Sequence, residues 1–467
     1  MKAIHWRVGI RLALPFVAGT ALAVFGLVGG AKADTDNVTQ QASVLVGNHS
    51  ITCNFSEGTP TSNTTGFSFD ISWIDSNVHS YLLADRSHGF TTTTPDNQTG
   101  HTSGDILKID TSTHTVTPLL PPADDPMAGV RCDANPDFGG SNAAGRNELT
   151  GPNGVFTVNH VEAWAGDGPS EFALAGQTNT AADYVNDPCD SSVRVFDLQT
   201  GQQTDHINIG GCFRTDEGAF DPVDQLALFA NPSEQPLRGN RNSTGLNRSP
   251  FITLISTDPV KPGKHHQVVK QINYDGHNGT VVANGGIEQP VYVPDTGKFY
   301  IAIPGDLAHP DDGWISVVDP GQHGNNDIKV VANIPTPGCN PHGLALGLDA
   351  QLFLGCNSGP ERVMDARTGD ILQVITQTVG GCDEVYFNAG DNHFVGACSA
   401  GAPGQFAMDQ VDSQPIAFDQ KLTTAPGAHS IAADRVTATD WVPAFGGTVC
   451  AASTACVAIF GGANEDE

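Results

Sequence analysis

Basic residues are scarce in this sequence. It has 22 Lys and Arg residues against 51 Asp and Glu residues, which gives a formal net charge of −29 at pH 7. A surface of this sign repels the phosphates of nucleic acids and of anionic lipids. Nucleic acid is therefore not expected as a partner, and we interpret the acidity as a source of solubility.

Several catalytic signatures are also missing. The sequence contains no GxSxG nucleophile elbow, no GxxxxGK[ST] phosphate loop and no HExxH helix, which excludes the common forms of α/β-hydrolase, P-loop and zincin chemistry. No CxxC pair occurs among the 10 cysteines, so the thiols do not indicate a metal site.

Long apolar runs are confined to the start of the chain. A basic segment, MKAIHWRVGIR, precedes an apolar run from Leu12 to Gly29 and the small-residue site Ala31-Lys32-Ala33. This order predicts a secretory signal peptide over residues 1–33, with an uncleaved membrane anchor as the alternative. Cleavage would remove four basic residues and no acidic ones, so the net charge would change from −29 to −33. We expect a secreted or periplasmic protein with no membrane contact after cleavage.

Turn-forming residues are abundant, with 53 Gly and 30 Pro, and the apolar residues between them form short runs typical of β-strands. One hairpin pattern, GCNPHGLALGLDAQLFLGC at Gly338–Cys356, is repeated at Gly381–Cys398 as GCDEVYFNAGDNHFVGAC. An even number of cysteines in an exported chain predicts disulfides. Hairpin geometry and short spacing predict three pairs, and elimination leaves two more: Cys339–Cys356, Cys382–Cys398, Cys450–Cys456, Cys189–Cys212 and Cys53–Cys132.

The repeat predicts a β-propeller. Groups of four short strands recur, and the later ones are spaced by about 40–50 residues, the length of one propeller blade. We predict an all-β, seven-bladed β-propeller over residues 66–461, with six blades as the alternative, and an acidic tail over 462–467. The last blade has three strands of its own. A strand near Ala42–Phe55, within the N-terminal segment 34–65, is expected to complete it and so remove the exposed sheet edges.

Three sequence segments resemble those of a known family. GPNGVFTV, NPHGLALGLDAQLFLG and GAHSIAADRVTATDWVP resemble the blade-opening sequences of YncE/YVTN-type propellers and of the wider SMP-30/gluconolactonase-like and NHL propeller superfamily. The resemblance implies the propeller fold and leaves the activity open. SMP-30-like lactonases use a Glu, Asn and Asp set around a divalent cation, and NHL-type amidating lyases use a set of histidines. This sequence follows neither pattern fully.

The first strand of each blade lines the channel of a propeller, so the residue that opens it lies near the axis. Here these residues are Asp70, Asn153, Glu217, Gln289, His342, Asp383 and His429. Oxygen and nitrogen ligands of this kind suit Ca²⁺, Mn²⁺ or Zn²⁺. We predict that His342, His429, Asp383 and Glu217 hold such a cation, that Asp70 or Glu384 acts as a base, and that Asn153, Gln289 and Asn340 contact a ligand.

Glu288 and Glu384 adjoin these residues and are expected, from the period of two in a strand, to point the other way. The pair His265–His266 is interpreted as a solvated loop.

Three functions are compatible with this reading. The first is a metal-dependent hydrolase of small esters or lactones. The second is a non-catalytic, YncE-like propeller that binds a small molecule or another exported protein. The third is a lyase of the NHL type.

Overall fold

The structure is a computed structural model of the chain. It describes residues 38–46, 51–53, 64–88, 103–129, 151–169, 190–211, 213–232, 249–260, 265–305, 309–321, 327–399, 407–425 and 427–462. The predicted signal peptide, and the predicted acidic tail beyond residue 462, lie outside these ranges. Within them, no helix has the length and apolar character needed to cross a bilayer.

The described chain is built almost entirely of short strands. One closing strand and a small hairpin come first, namely β1 (Thr39–Leu45), β2 (Ile51–Cys53) and β3 (Thr64–Gly66). The strands of blades 1 to 3 are β4 (Phe69–Asp75), β5 (Ser80–Asp85), β6 (Asp105–Asp110), β7 (Val116–Leu119), β8 (Val155–Val158), β9 (Glu162–Asp167), β10 (Ser191–Asp197), β11 (Gln203–Gly211), β12 (Gly218–Asp221), β13 (Leu226–Asn231), β14 (Phe251–Ser256) and β15 (Gln267–Asn273).

The remaining blades follow the same plan. Their strands are β16 (Pro290–Val293), β17 (Lys298–Ile303), β18 (Trp314–Asp319), β19 (Lys329–Pro335), β20 (Pro341–Leu346), β21 (Gln351–Cys356), β22 (Glu361–Asp365), β23 (Ile371–Ile375), β24 (Cys382–Asn388), β25 (His393–Cys398), β26 (Ala407–Ser413), β27 (Ile416–Thr423), β28 (Ala432–Asp434), β29 (Thr439–Phe445) and β30 (Ala455–Gly461). A 3₁₀ turn, Leu348–Ala350, joins β20 to β21.

Seven antiparallel four-stranded sheets form the blades, and the first strands of neighbouring blades contact each other around the whole ring, β28 against β4 included. The prediction of a seven-bladed propeller is therefore confirmed, and the six-bladed alternative is wrong. In blade 7 the outer strand is β1, in the order β1-β30-β29-β28. This closing strand is Thr39–Leu45, which pairs Thr39 with Gly461 and Leu45 with Cys456. Ile51–Cys53 pairs instead with Thr64–Gly66.

Aspartates at the ends of the third strands cap turns, as their position predicts. The Asp110 carboxylate accepts hydrogen bonds from the backbone N–H groups of Ser112 and Thr113. Asp197, Asp319 and Asp365 accept equivalent bonds in blades 2, 4 and 5. These carboxylates serve the fold and are not part of a site.

The apolar core lies between adjacent blades. Trp441 of blade 7 is fully buried and stacks on Tyr81 of blade 1, with ring centroids 5.3 Å apart. Burying a large aromatic side chain stabilises a fold by about 3 kcal/mol, so this contact strengthens the seam where the ring closes.

Three predicted disulfides are confirmed: Cys339–Cys356, Cys382–Cys398 and Cys450–Cys456. The pairs Cys189–Cys212 and Cys53–Cys132 involve cysteines whose side chains lie outside the described residues.

Candidate functional site

A polar cavity lies at the end of the ring where the first strands begin. It has a volume of about 350 Å³, and we call it the polar chamber. Its lining residues are Asp70, Ile71, Arg86, Arg214, Asp216, Glu217, Glu288, His342, Asp383 and His429. Five of the residues predicted from the repeat therefore line one volume.

Irregular pairing in the first strands determines the direction of three of these side chains. The pairing register shifts between Phe69 and Ser72, between Pro341 and Gly343, and between Cys382 and Glu384. Each shift encloses a chamber residue: Asp70, His342 or Asp383. A β-bulge leaves its extra residue out of the ladder and redirects the side chain, so these residues point to the axis instead of following the strand alternation.

Glycines allow the first strands to meet closely around the chamber. A Cβ atom at Gly343 would lie 2.8 Å from the carbonyl oxygen of Asp383, in the next blade. A Cβ atom at Gly154 would lie 2.4 Å from the carbonyl oxygen of Asp216. Both distances are too short for any larger residue, and the glycines therefore bring side chains of adjacent blades within reach of each other.

Asp70 is the centre of an ionic cluster on one side of the chamber. Its Oδ2 atom forms an ion pair with Arg86 and lies 3.3 Å from Arg214 Nη1, while Oδ1 lies 3.5 Å from His429 Nε2. Burial opposes its ionisation, but Arg86, the hydrogen bond with His429 and Arg214 together hold the pKa of Asp70 well below its usual range. Asp70 is thus a carboxylate at neutral pH.

Asn153 supports this cluster from outside the chamber lining. Its Oδ1 atom accepts a hydrogen bond of 2.5 Å from Arg86 Nη2, and its Nδ2 atom donates to the carbonyl of Thr215 at 2.9 Å. Asn153 therefore orients the guanidinium that neutralises Asp70.

The two predicted imidazoles each have a carboxylate beside them. His342 Nδ1 lies 3.4 Å from Asp383 Oδ1. Burial disfavours the charged ring, yet the hydrogen bond with Asp383 and the charge of Glu288 raise the pKa of His342 above its ordinary value. Burial acts in the opposite sense on Asp383, but His342 lowers the pKa of that carboxyl overall. The two pKa shifts favour a charged imidazolium at His342 and a carboxylate at Asp383.

His429 is held by contacts on both sides of its ring. Nδ1 lies 2.7 Å from the carbonyl oxygen of Gly427, to which it donates, and the ring stacks on Phe69 at a centroid distance of 4.8 Å. Burial opposes protonation, but the hydrogen bond with Asp70 and the charge of Asp383 raise the pKa of His429. With Nδ1 donating to Gly427, Nε2 must also carry a proton to donate to Asp70.

Glu217 has a buried carboxylate that the protein leaves unsatisfied. The residue is 6% exposed, and its Oε2 atom has no hydrogen-bond partner among the described residues. Burial, and then the negative charges of Glu288 and Asp216, raise the pKa of Glu217 well above its usual range. Such an atom is available to a ligand.

A second, apolar cavity adjoins the chamber along the axis. It has a volume of about 520 Å³, and it shares Ile71 and Glu217 with the chamber. We call it the apolar channel, and the apolar side chains in its lining include Ile71, Trp73, Val155, Val291, Tyr292, Leu344, Val385, Tyr386 and Phe387.

Two predicted site residues, Gln289 and Glu384, line the channel rather than the chamber. Glu384 accepts hydrogen bonds from the Ser430 hydroxyl and from the Ile431 N–H at 3.2 Å. Gln289 accepts from the Leu344 N–H at 2.7 Å and donates to the Val385 carbonyl at 3.1 Å. The Gln289 side chain therefore bridges the first strands of blades 5 and 6.

Asn340 lines neither cavity, because its Oδ1 atom accepts a hydrogen bond of 2.7 Å from the Gly305 N–H and so ties two loops together. Glu288, expected to point away, does line the chamber. The N–H of the next residue, Gln289, bonds to the His342 carbonyl of blade 5. The backbone there is not yet a regular strand, so alternation does not apply.

Sequence reasoning missed Arg86, Arg214 and Asp216. Arg86 follows β5, and Arg214 and Asp216 precede β12, so all three lie in loops at the chamber end of the ring. The available signal was the scarcity of basic residues: an arginine next to a strand end in so acidic a chain points to a specific carboxylate partner.

Two groups of described side chains bring metal-ligating atoms within 4.8 Å of one another. They are Glu361, Cys382, Cys398 and Asp409, and Glu162, His265 and His266. Cys382 and Cys398 form a disulfide, so they offer no thiolates. The predicted ligands in the chamber are not among these groups, and the cation there stays a prediction.

Comparison with known protein families and with curated proteins gives no match. Among solved structures, the chain is similar to a chain in the crystal structure of the mitotic checkpoint complex. The TM-score is 0.50 at 10% identity, over 97% of this chain and 98% of that one. The likeness shows a shared fold. At this identity it carries no information on activity, so the resemblance to YncE-type and SMP-30-like proteins remains a prediction.

Proposed function

We propose that the polar chamber and the apolar channel together bind one small amphipathic molecule, with its polar group in the chamber and its apolar part in the channel. The observation that carries this proposal is the position of Glu217. Its carboxylate borders both volumes, is buried, and has an oxygen without a hydrogen-bond partner among the described residues. An unsatisfied buried carboxylate is costly unless a ligand compensates it.

We further propose that the ligand is an ester or a lactone and that the protein hydrolyses it with a divalent cation. The donor types suit such an ion, because the carboxylates of Glu217, Glu288 and Asp383 and the imidazole of His342 line one cavity. The ion would have to draw these side chains together, since they are not among the groups whose ligand atoms lie within 4.8 Å of one another. When bound, a divalent cation would polarise the carbonyl group of the substrate. Both N–H groups of His429 already face acceptors, the Gly427 carbonyl and Asp70, so His429 is not among the ligands that we propose for the ion.

The two predicted bases differ in strength. Asp70 is held ionised by two guanidiniums and is therefore a weak base. Burial raises the pKa of Glu384 well above its usual range, so Glu384 is the stronger proton acceptor. We assign proton transfer to Glu384 and the positioning of Arg86 and His429 to Asp70.

A non-catalytic binding propeller is the second candidate. It is favoured by the pairing inside the chamber, where both guanidiniums and both imidazoles already have carboxylate partners. The disulfides fit an oxidising compartment, which supports our proposal that the protein is secreted or periplasmic.

The test is elemental analysis of the purified protein together with a panel of aryl esters and lactones of increasing acyl length. We expect one divalent ion per chain in the chamber, and activity that rises with acyl length until the channel is filled. Glu217→Gln keeps the shape of the side chain and removes its charge, so ion affinity and kcat/KM should each fall by at least about 10-fold.

Glu361→Gln is the matched control, because Glu361 is also a buried carboxyl with a raised pKa but lines neither cavity. It should leave both readouts unchanged. Ligand binding without an ion and without turnover would establish the second candidate. If Glu217→Gln altered neither ion content, nor ligand affinity, nor turnover, both candidates would be wrong.

A further inference from the structure

A second cluster of ligating side chains lies between blades 2 and 3, away from both axial cavities. Glu162 begins β9 of blade 2, and His265 and His266 immediately precede β15 of blade 3. One ligand atom from each of the three lies within 4.8 Å of the other two. The cluster therefore joins two blades through side chains that the chemistry proposed above does not use.

His266 is oriented as a metal ligand would be. Its Nδ1 atom lies 2.8 Å from Asp205 Oδ2, to which it donates, and this bond leaves the lone pair on Nε2 in the neutral ring. His266 is 7% exposed, and Nε2 has no hydrogen-bond partner among the described residues. In metal-binding histidines, the ring nitrogen that does not bind the metal commonly donates to a carboxylate, which orients the ring.

Glu162 is held in the complementary orientation. Its Oε2 atom accepts a hydrogen bond of 2.9 Å from Trp164 Nε1, which leaves Oε1 directed at His266 Nε2 at 3.4 Å. Two ligands each about 2.1 Å from a tetrahedral ion are about 3.4 Å apart. The observed separation therefore matches the spacing of two ligands of one metal ion.

We propose that Glu162, His265 and His266 bind one divalent transition-metal ion of the Zn²⁺ class. Two imidazoles and one carboxylate are a common three-residue set for zinc, with solvent completing a tetrahedron. His265 is exposed, and its ring, which stacks on that of His266 with centroids 3.7 Å apart, rotates to turn a nitrogen towards the ion. Because the ligands come from two blades, the ion clamps blade 2 to blade 3. This site is independent of the chamber and of any activity there.

The experiment is a Zn²⁺ titration of the full, chelator-treated protein against a chromophoric chelator, with Co²⁺ absorption to report coordination geometry. We expect one Zn²⁺ per chain at this site, a tetrahedral Co²⁺ spectrum, and a higher unfolding midpoint with Zn²⁺ present. Glu162→Gln and His265→Ala should each weaken binding by at least about 10-fold and remove the rise in the midpoint. Since His265 is exposed, its truncation leaves the fold intact.

Two controls separate this site from others. His277→Ala removes an exposed imidazole beside Asp275, outside the cluster, and should leave Zn²⁺ binding unchanged. Glu217→Gln removes the proposed chamber ligand and should leave the tetrahedral Co²⁺ spectrum intact. Equal Zn²⁺ affinity in the wild type, Glu162→Gln and His265→Ala would overturn the proposal, as would a Co²⁺ spectrum that disappears only with Glu217→Gln.

Discussion

His393 is a buried imidazole that three carboxylates surround. It opens β25, with Nε2 at 2.9 Å from Asp412 Oδ1 and 3.8 Å from Asp419 Oδ2, and Nδ1 at 3.3 Å from Asp391 Oδ1. Burial disfavours the charged ring, but the hydrogen bond with Asp391 and the charges of all three carboxylates raise the pKa of His393 to about 9. The imidazolium thus links the turn before β25 to β26 and β27 at one end of blade 6.

This raised pKa predicts a pH-dependent contribution to stability. A histidine whose pKa is higher in the folded than in the unfolded state stabilises the fold fully below its unfolded pKa, near 6.5, and loses that contribution as the pH rises through about 9. The upper bound is on the order of 3 kcal/mol. We expect the urea-unfolding free energy of the wild type to fall between pH 6.5 and 9, and that of His393→Gln to fall much less.

His277→Gln, which changes an exposed imidazole, is the control and should follow the wild-type curve. Parallel pH profiles for the wild type and His393→Gln would show that the ring is not held in its charged form.

Which chamber residues could be predicted from sequence depends on what positions them. Asp70, His342 and Asp383 open first strands, and the repeat places every first strand at the axis, so their meeting could be predicted. Arg86 and Arg214 reach the same volume from loops, where no periodicity constrains direction. His266 was interpreted as a loop residue because the sequence does not reveal that blade 2 covers it.

The closing strand β1 joins the start of the described chain to its end. It pairs with β30 and supplies the fourth strand of blade 7, as the three-stranded last repeat predicts. Alternate residues of β1 face inward and outward: Val44 is 7% exposed and packs in the core cluster that contains Trp441, whereas Leu45 is 59% exposed. The exact limits of β1 could not be predicted, because the sequence indicated only that a strand lies near Ala42–Phe55.

A charge placed on the inner face of β1 should destabilise the fold where the ring closes. Val44→Asp would bury an unpaired carboxylate in this cluster, and we expect it to lower the unfolding free energy by about 3 kcal/mol. Leu45→Asp makes the same change one residue later on the exposed face and should cost less than about 0.5 kcal/mol. Urea unfolding followed by tryptophan fluorescence measures both. Equal costs for the two variants would mean that β1 does not pack as the closing strand.

The fold of the whole molecule could be predicted better than its activity, and the reason is physical. A blade cannot bury its apolar faces alone, so the repeats must stack on one another, and the number of repeats in the chain gives the number of blades. The chemistry at the axis depends on single side chains such as Glu217 and Arg214, and the same ring tolerates many different sets of them. A shared fold at 10% identity accordingly says nothing about the ligand.

The net charge of −29 acts on the ring as a whole. Mutual repulsion among exposed carboxylates opposes the compact state, and salt screens it over about 10 Å at 0.1 M. Buried pairs such as Arg194–Asp167, whose side chains are both fully buried, are screened far less.

We therefore expect the thermal midpoint at pH 7 to rise by on the order of 2 °C between 20 and 300 mM NaCl. Near the isoelectric point of about 4.6 the repulsion vanishes, so the rise should be at most half as large. An equal rise at both pH values would attribute it to the salt itself and not to charge repulsion.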